Sequence, residues 1–159
     1  MTSNKPTILL LDGGMGQELI KRSSKEITPL WSTQVMVDEP DIVRDLHVDY
    51  ILAGSRVITL NAYTMTPQRL TRDGQIKDFE TLQLSAIHAA TSARTKAGIA
   101  GVKIAGCLPP LVASYHAEVA PAYDEMLASY SQIVALQAPH VDVFLCCYRQ
   151  CKNDPLAPT

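Results

Sequence analysis

The chain has 159 residues, 47% of them hydrophobic and 19% charged, with a formal net charge of −2 and a pI near 6.0. That is enough for one domain with a buried core, and the low charged fraction suits elements covered on more than one face, as in α/β proteins. No run of Lys or Arg stands out, which excludes the electrostatic footprint of a nucleic-acid or anionic-membrane binder.

Behind a short polar start, the apolar stretch at 8–11 is too brief for the core of a signal peptide, and nowhere do about 18 apolar residues run together. A cytoplasmic protein is expected. Four cysteines in such a chain are expected as thiols or metal ligands, not as a disulfide framework.

In chain order, "TILLLDGGMG" is an apolar run ending in Asp and glycines, the pattern of a buried strand that breaks into a tight loop. An irregular stretch follows. "DEPDIVRDLHVDYILAGS" then predicts a helix, with Asp38 as cap, Pro40 in the first turn, Val43, Leu46, Tyr50 and Ile51 on one face, and Gly54 as its stop. "RVITLNAY" is a second strand. "DFETLQLSAIHAATSARTKAG" predicts a helix closing on Gly98, and "VKIAGCLPP" a third strand halted by Pro109 and Pro110. "APAYDEMLASYSQIVALQA" is a further helix, and "VDVFLC" a fourth strand.

Strands starting near 8, 57, 102 and 141 match βα units in a parallel sheet. Two architectures compete. A doubly wound sheet closes within this length, whereas a (β/α)8 barrel needs about 250 residues, so four units are half of one.

In both, chemistry belongs at the carboxyl ends of the strands. Those ends carry Asp12-Gly13-Gly14-Met15-Gly16, Thr59-Leu60-Asn61-Ala62-Tyr63, Gly106-Cys107 and Cys146-Cys147. Gly14 and Gly16 fit two glycines of a dinucleotide fingerprint, but Leu19 occupies the third position and no acidic residue ends the next strand. The other reading is a small amino acid: backbone N–H groups of the glycine loop cradle a carboxylate, and Asp12 holds an ammonium group. Asp12 as a simple turn residue stays equally open.

"LLDGGMGQEL", "PLWSTQVMVDEPDIVRDLHVDYILAGSRVITLNAY" and "IAGCLPPLVASY" resemble the homocysteine S-methyltransferase family, in the family's order and spacing, over roughly residues 7–146. The resemblance implies a (β/α)8 TIM-barrel fold, here an incomplete barrel of about four βα units. It implies methyl transfer from a donor of the S-methylmethionine or betaine type to homocysteine, whose sulfur a zinc ion keeps deprotonated. By the same resemblance Asp12 binds the ammonium group, Gly13 and Gly14 bind the carboxylate, and Thr59 and Tyr63 contact substrate. Trp31 is expected to be a packing anchor, His47 and His88 structural or exposed, and Cys107 a small buried residue.

The chain also departs from the family pattern. The family's zinc ligands are three cysteines near its sixth and eighth strands, and a glutamate that helps hold the substrate ammonium stands where this chain has Cys147. Cys146 and Cys147 point oppositely along a strand, and Cys146, Cys147 and Cys151 lack the spacing of a zinc knuckle. No metal, bound cofactor or catalytic residue is therefore expected in this chain. Residues 1–146 are expected to form the amino-terminal half of the barrel, and 147–159 a divergent, irregular tail of the kind a shifted reading frame or gene remnant leaves. The isolated chain is expected to be inactive. Its open edges favour a homo-oligomer or a binding module that pairs with a second half-barrel. A nucleotide-binding domain is the remaining alternative.

Overall fold

The computed structural model describes residues 8–26, 28–73, 78–114 and 116–147. The tail expected to diverge from Cys147 onward, Cys151 included, lies outside these from residue 148.

The centre is a three-stranded parallel sheet of β1 (Val57–Thr59), β2 (Lys103–Leu108) and β3 (Val143–Cys146), paired in chain order. Register runs from Val57 opposite Lys103 to Thr59 opposite Ala105, and from Ala105 opposite Val143 to Leu108 opposite Cys146. β2 is buried through its middle, as a strand covered on both faces must be.

The expected first strand is corrected. The chain at 10–12 runs beside β1, with Arg56 N–H donating to Leu10 O at 2.8 Å and Asp12 N–H to Val57 O at 3.0 Å. Only one ladder bridge forms, between Leu11 and Val57. The physical reason is exposure: Ile8 is 90% and Leu10 55% exposed, so little burial holds this segment in a regular ladder. The sheet among the described residues therefore has three strands where four were expected.

The three long helices stand as expected. α3 (Pro40–Leu52) starts on its proline, α5 (Phe79–Ala97) stops at Gly98 with φ 64°, and α6 (Tyr123–Gln137) precedes β3. Gly98 serves there because the left-handed cap costs it nothing. Three short helices were not expected: α1 (Met15–Arg22) and α2 (Ser32–Asp38), around the stretch expected to be irregular, and α4 (Pro67–Arg72), where no element was assigned. Each is too short to persist alone and is held by tertiary burial, of Leu19 in α1, Val35 and Met36 in α2, and Leu70 in α4.

α3 packs on α5, and α5 on α6. Neighbouring crossover helices touch each other over strands paired in chain order, as in a stretch of a barrel or in one half of a doubly wound sheet. The core between helices and sheet is built from Val43, Leu46, Ile51, Ile58, Ile104 and Leu82. No helix among the described residues is long and apolar enough to cross a membrane.

A buried polar chain ties this core to the sheet. Gln83 Nε2 donates to Met65 O at 2.8 Å, Gln137 Nε2 to Gln83 Oε1 at 2.8 Å, and Cys107 N–H to Gln137 Oε1 at 2.9 Å. Both glutamines are fully buried, so each of their polar atoms needs such a partner.

Candidate functional site

At the carboxyl ends of the strands lies a cavity of about 680 Å³, and Asp12, Gly13, Gly14, Thr59 and Tyr63 all line it. Five residues spread over more than fifty positions of sequence thus meet in one place.

Asp12 does more than stabilise a local turn. Its Oδ2 accepts from Thr59 N–H at 2.7 Å and its Oδ1 from Thr59 Oγ1 at 2.9 Å. Burial pushes the Asp12 carboxyl above its ordinary value, against the lowering effect of the two Thr59 hydrogen bonds. The outcome is a carboxylate aimed and held, yet short of full compensation.

The glycine loop is not left-handed. Gly13, Gly14 and Gly16 lie outside the positive-φ region, which among the described glycines holds Gly54, Gly98 and Gly101. What demands glycine at position 16 is close approach: the Trp31 ring lies where a Cβ would stand. Gly14 is the N-cap of α1 and supplies no side-chain cap, so the first N–H groups of that helix keep their donor capacity. Trp31 both packs on Gly16 and lines the cavity, and its own backbone is strained at φ 51°.

Sequence reasoning missed two lining residues that bear chemistry, Arg69 and Ser114, and gave no pocket role to two that it had placed at strand ends, Cys107 and Cys147. Arg69 and Ser114 stand near Tyr63, whose hydroxyl hydrogen-bonds Ser114 Oγ at 2.7 Å. The signal for Arg69 was the Thr66-Pro67 pair, a cap and first-turn proline that start α4. Cys107 is 2% exposed, as a small buried residue should be, but it also lines the cavity together with Cys147. Two-residue alternation from Leu145 to Cys147 was the available signal for the second thiol.

Each thiol shifts the other: Cys147 beside it, together with burial, holds the Cys107 thiol up, while the Cys107 thiol brings Cys147 down to about 7. β2 and β3 fix the pair through Cys147 N–H, which donates to Leu108 O at 2.9 Å. Among the described residues no three His, Cys, Asp or Glu side chains gather closely enough to hold a metal ion.

The family model for homocysteine S-methyltransferase matches residues 9–154. The chain belongs to the homocysteine S-methyltransferase family. It is 41% identical over 64 residues to the homocysteine S-methyltransferase of Escherichia coli K12, covering 40% of this chain and 21% of that protein. With homocysteine S-methyltransferase 3 of Zea mays it shares 33% over 87 residues, covering 54% of this chain and 26% of the relative. The solved metallated form of the homocysteine methyltransferase MmuM from Escherichia coli superposes with a TM-score of 0.73 at 27% identity, over 90% of this chain and 54% of that one. The family member described here therefore spans about half the length of the solved structure it matches.

Proposed function

We propose that the cavity is the amino-acid pocket of a homocysteine S-methyltransferase site, built on the first strands of a (β/α)8 barrel. The observation that carries this is the Asp12–Thr59 clasp, because it fixes an undercompensated carboxylate beside a glycine loop at the sheet's carboxyl edge. In this reading ionised Asp12 takes the homocysteine ammonium group, and the open N–H groups at the start of α1 face its carboxylate. The acceptor sulfur then forms a bond to the donor methyl carbon. The carbon–sulfonium or carbon–ammonium bond of the donor breaks, and the thiol proton leaves. Donors of the S-methylmethionine or betaine type fit this chemistry. The isolated chain is proposed to bind the amino acid without turning it over.

Titration calorimetry with L-homocysteine tests the binding half of the reading. Asp12→Asn is expected to weaken the wild-type affinity by about tenfold or more, the scale of a lost charge-assisted hydrogen bond. Equal binding by both proteins counts against it. Formation of methionine from homocysteine and S-methylmethionine by the zinc-supplemented chain would overturn the inactivity.

A second reading is favoured by the sheet edges, where Leu11 is 47%, Val143 47% and Leu145 36% exposed. Apolar edges that are unpaired among the described residues favour further strand pairing, by more of a barrel or by a second copy. Light scattering decides whether the isolated chain forms a defined dimer.

A further inference from the structure

Asp12 has a counterpart of opposite sign in the cavity. Among the side chains that line it, Asp12 and Arg69 are the carboxylate and the guanidinium. Arg69 is set by its helix: Thr66 Oγ1 caps α4 by accepting from Arg69 N–H at 3.2 Å, Thr66 itself donates to Leu111 O at 2.5 Å, and Leu70 is fully buried. The guanidinium lies over the Tyr63 ring, 5.6 Å from its centroid.

Its hydrogen-bonding capacity is underused. Nη2 donates to Pro110 O at 3.3 Å and to Ser114 Oγ at 3.5 Å, both long, and buried Nε has no acceptor. Arg22, Arg44, Arg72 and Arg94 each hold a carboxylate within 4.0 Å, whereas among the described residues Arg69 holds none, and neither does Arg56. Burial lowers its pKa, the sign of a cation short of counter-charge. Beside it, Tyr63 and Ser114 share one hydrogen bond between two hydroxyls, which leaves one O–H free to donate. A planar donor fork plus a spare hydroxyl matches the two oxygens of a carboxylate.

We propose that Arg69, with the Tyr63–Ser114 hydroxyl pair, is a carboxylate anchor of this cavity. The inference rests on the amino-acid reading above and deepens it: the ligand that reaches this end carries a carboxylate. That carboxylate comes from the thiol acceptor or from the onium donor, and the arms of one experiment separate the two.

Titration calorimetry on the full chain uses L-homocysteine, its decarboxylated analogue 3-aminopropane-1-thiol, S-methyl-L-methionine and the matching decarboxylated sulfonium. Arg69→Gln is expected to weaken one carboxylate-bearing ligand by about 10- to 100-fold and its decarboxylated analogue by less than about twofold. The ligand that loses affinity names the source. Arg69→Lys restores part of the loss, because an ammonium group keeps the charge without the fork. Equal losses for the carboxylated and decarboxylated partners, or no loss for either carboxylated ligand, overturn the anchor. If wild type binds neither homocysteine nor S-methylmethionine, the amino-acid reading fails by itself. The anchor is then decided by propionate, followed at the Arg69 Nε–H signal of the wild-type chain by NMR. A saturable shift of that signal supports it, and an unmoved signal overturns it.

Discussion

Asp12 and Thr59 are joined twice, through the backbone N–H and the hydroxyl of a single threonine 47 positions away. This clasp ties the end of the first extended segment to the end of β1 and orients the carboxylate in the cavity. Because burial raises Asp12 above its ordinary value, the folded chain holds that proton to higher pH than the unfolded one. The associated stability is complete below the unfolded value and is lost as pH rises through the folded one. At neutral pH, ionised Asp12 therefore costs stability, which suits a group kept for a ligand.

Asp12→Asn separates these roles. An amide oxygen still accepts from Thr59 N–H and the amide NH2 still donates to Thr59 Oγ1, so the clasp survives without the charge. Stability at pH 7 is expected to equal or exceed that of wild type while homocysteine affinity falls. Thermal melts beside calorimetry check this; a destabilised variant with unchanged affinity would show a purely structural aspartate. Thr59→Val removes one of the bonds that lower the Asp12 value. The carboxyl is then expected to titrate at still higher pH by NMR.

Cys147 is expected to be the reactive thiol of the pocket. Its alkylation by iodoacetamide, followed by peptide mass spectrometry, should rise with a midpoint near pH 7, because the neighbouring Cys107 thiol favours its thiolate. Cys107→Ala removes that neighbour and is expected to move the midpoint upward. Cys107 itself, 2% exposed, should stay unmodified in the native chain. Bound homocysteine is expected to slow the reaction at Cys147, since both thiols line the cavity.

The Gln83–Gln137 chain makes a separate stability prediction. Gln137→Leu strands the Cys107 N–H and Gln83 Oε1, two groups whose loss of partners costs about 2–4 kcal/mol together. Gln83→Leu strands Met65 O and Gln137 Nε2 in the same way. Because the pair shares a bond, the double variant should lose less than the sum of the two. Urea unfolding of the three variants measures it, and strict additivity would show that the glutamines act independently.

How much of this was legible in the sequence follows from where each signal is stored. α3 and α5 are long enough for periodicity to show, and Pro40 and Gly98 mark an end of each by local backbone chemistry. The Asp12-Gly13-Gly14 break announced a strand end because an acid and two glycines suit no packed interior. α1, α2 and α4 left no periodic trace, since helices of six to eight residues take their stability from neighbours distant in sequence. The isolated apolar run at 8–11 promised a full strand, but a strand also needs cover, and Ile8 and Leu10 have little. Arg69 acquired meaning only when the fold carried α4 to the cavity already marked by Asp12, whereas Cys147 was legible as the residue at a strand end.

His47 carries the clearest pH dependence of stability. It is fully buried in α3, and neither ring nitrogen has a partner among the described residues. Burial lowers its value from 6.5 to about 4. Below the unfolded value the unfolded chain binds a proton that the native chain refuses, so stability falls as pH drops from about 6.5 toward about 4, where the native ring also protonates. The full loss is on the order of 3 kcal/mol. His47→Leu keeps an apolar side chain among Val43, Leu46 and Ile51 and removes the titrating group. Denaturant unfolding at pH 7 and pH 5 is expected to show a clear fall for wild type and a much flatter response for the variant. Parallel pH profiles for the two proteins would place the acid sensitivity elsewhere.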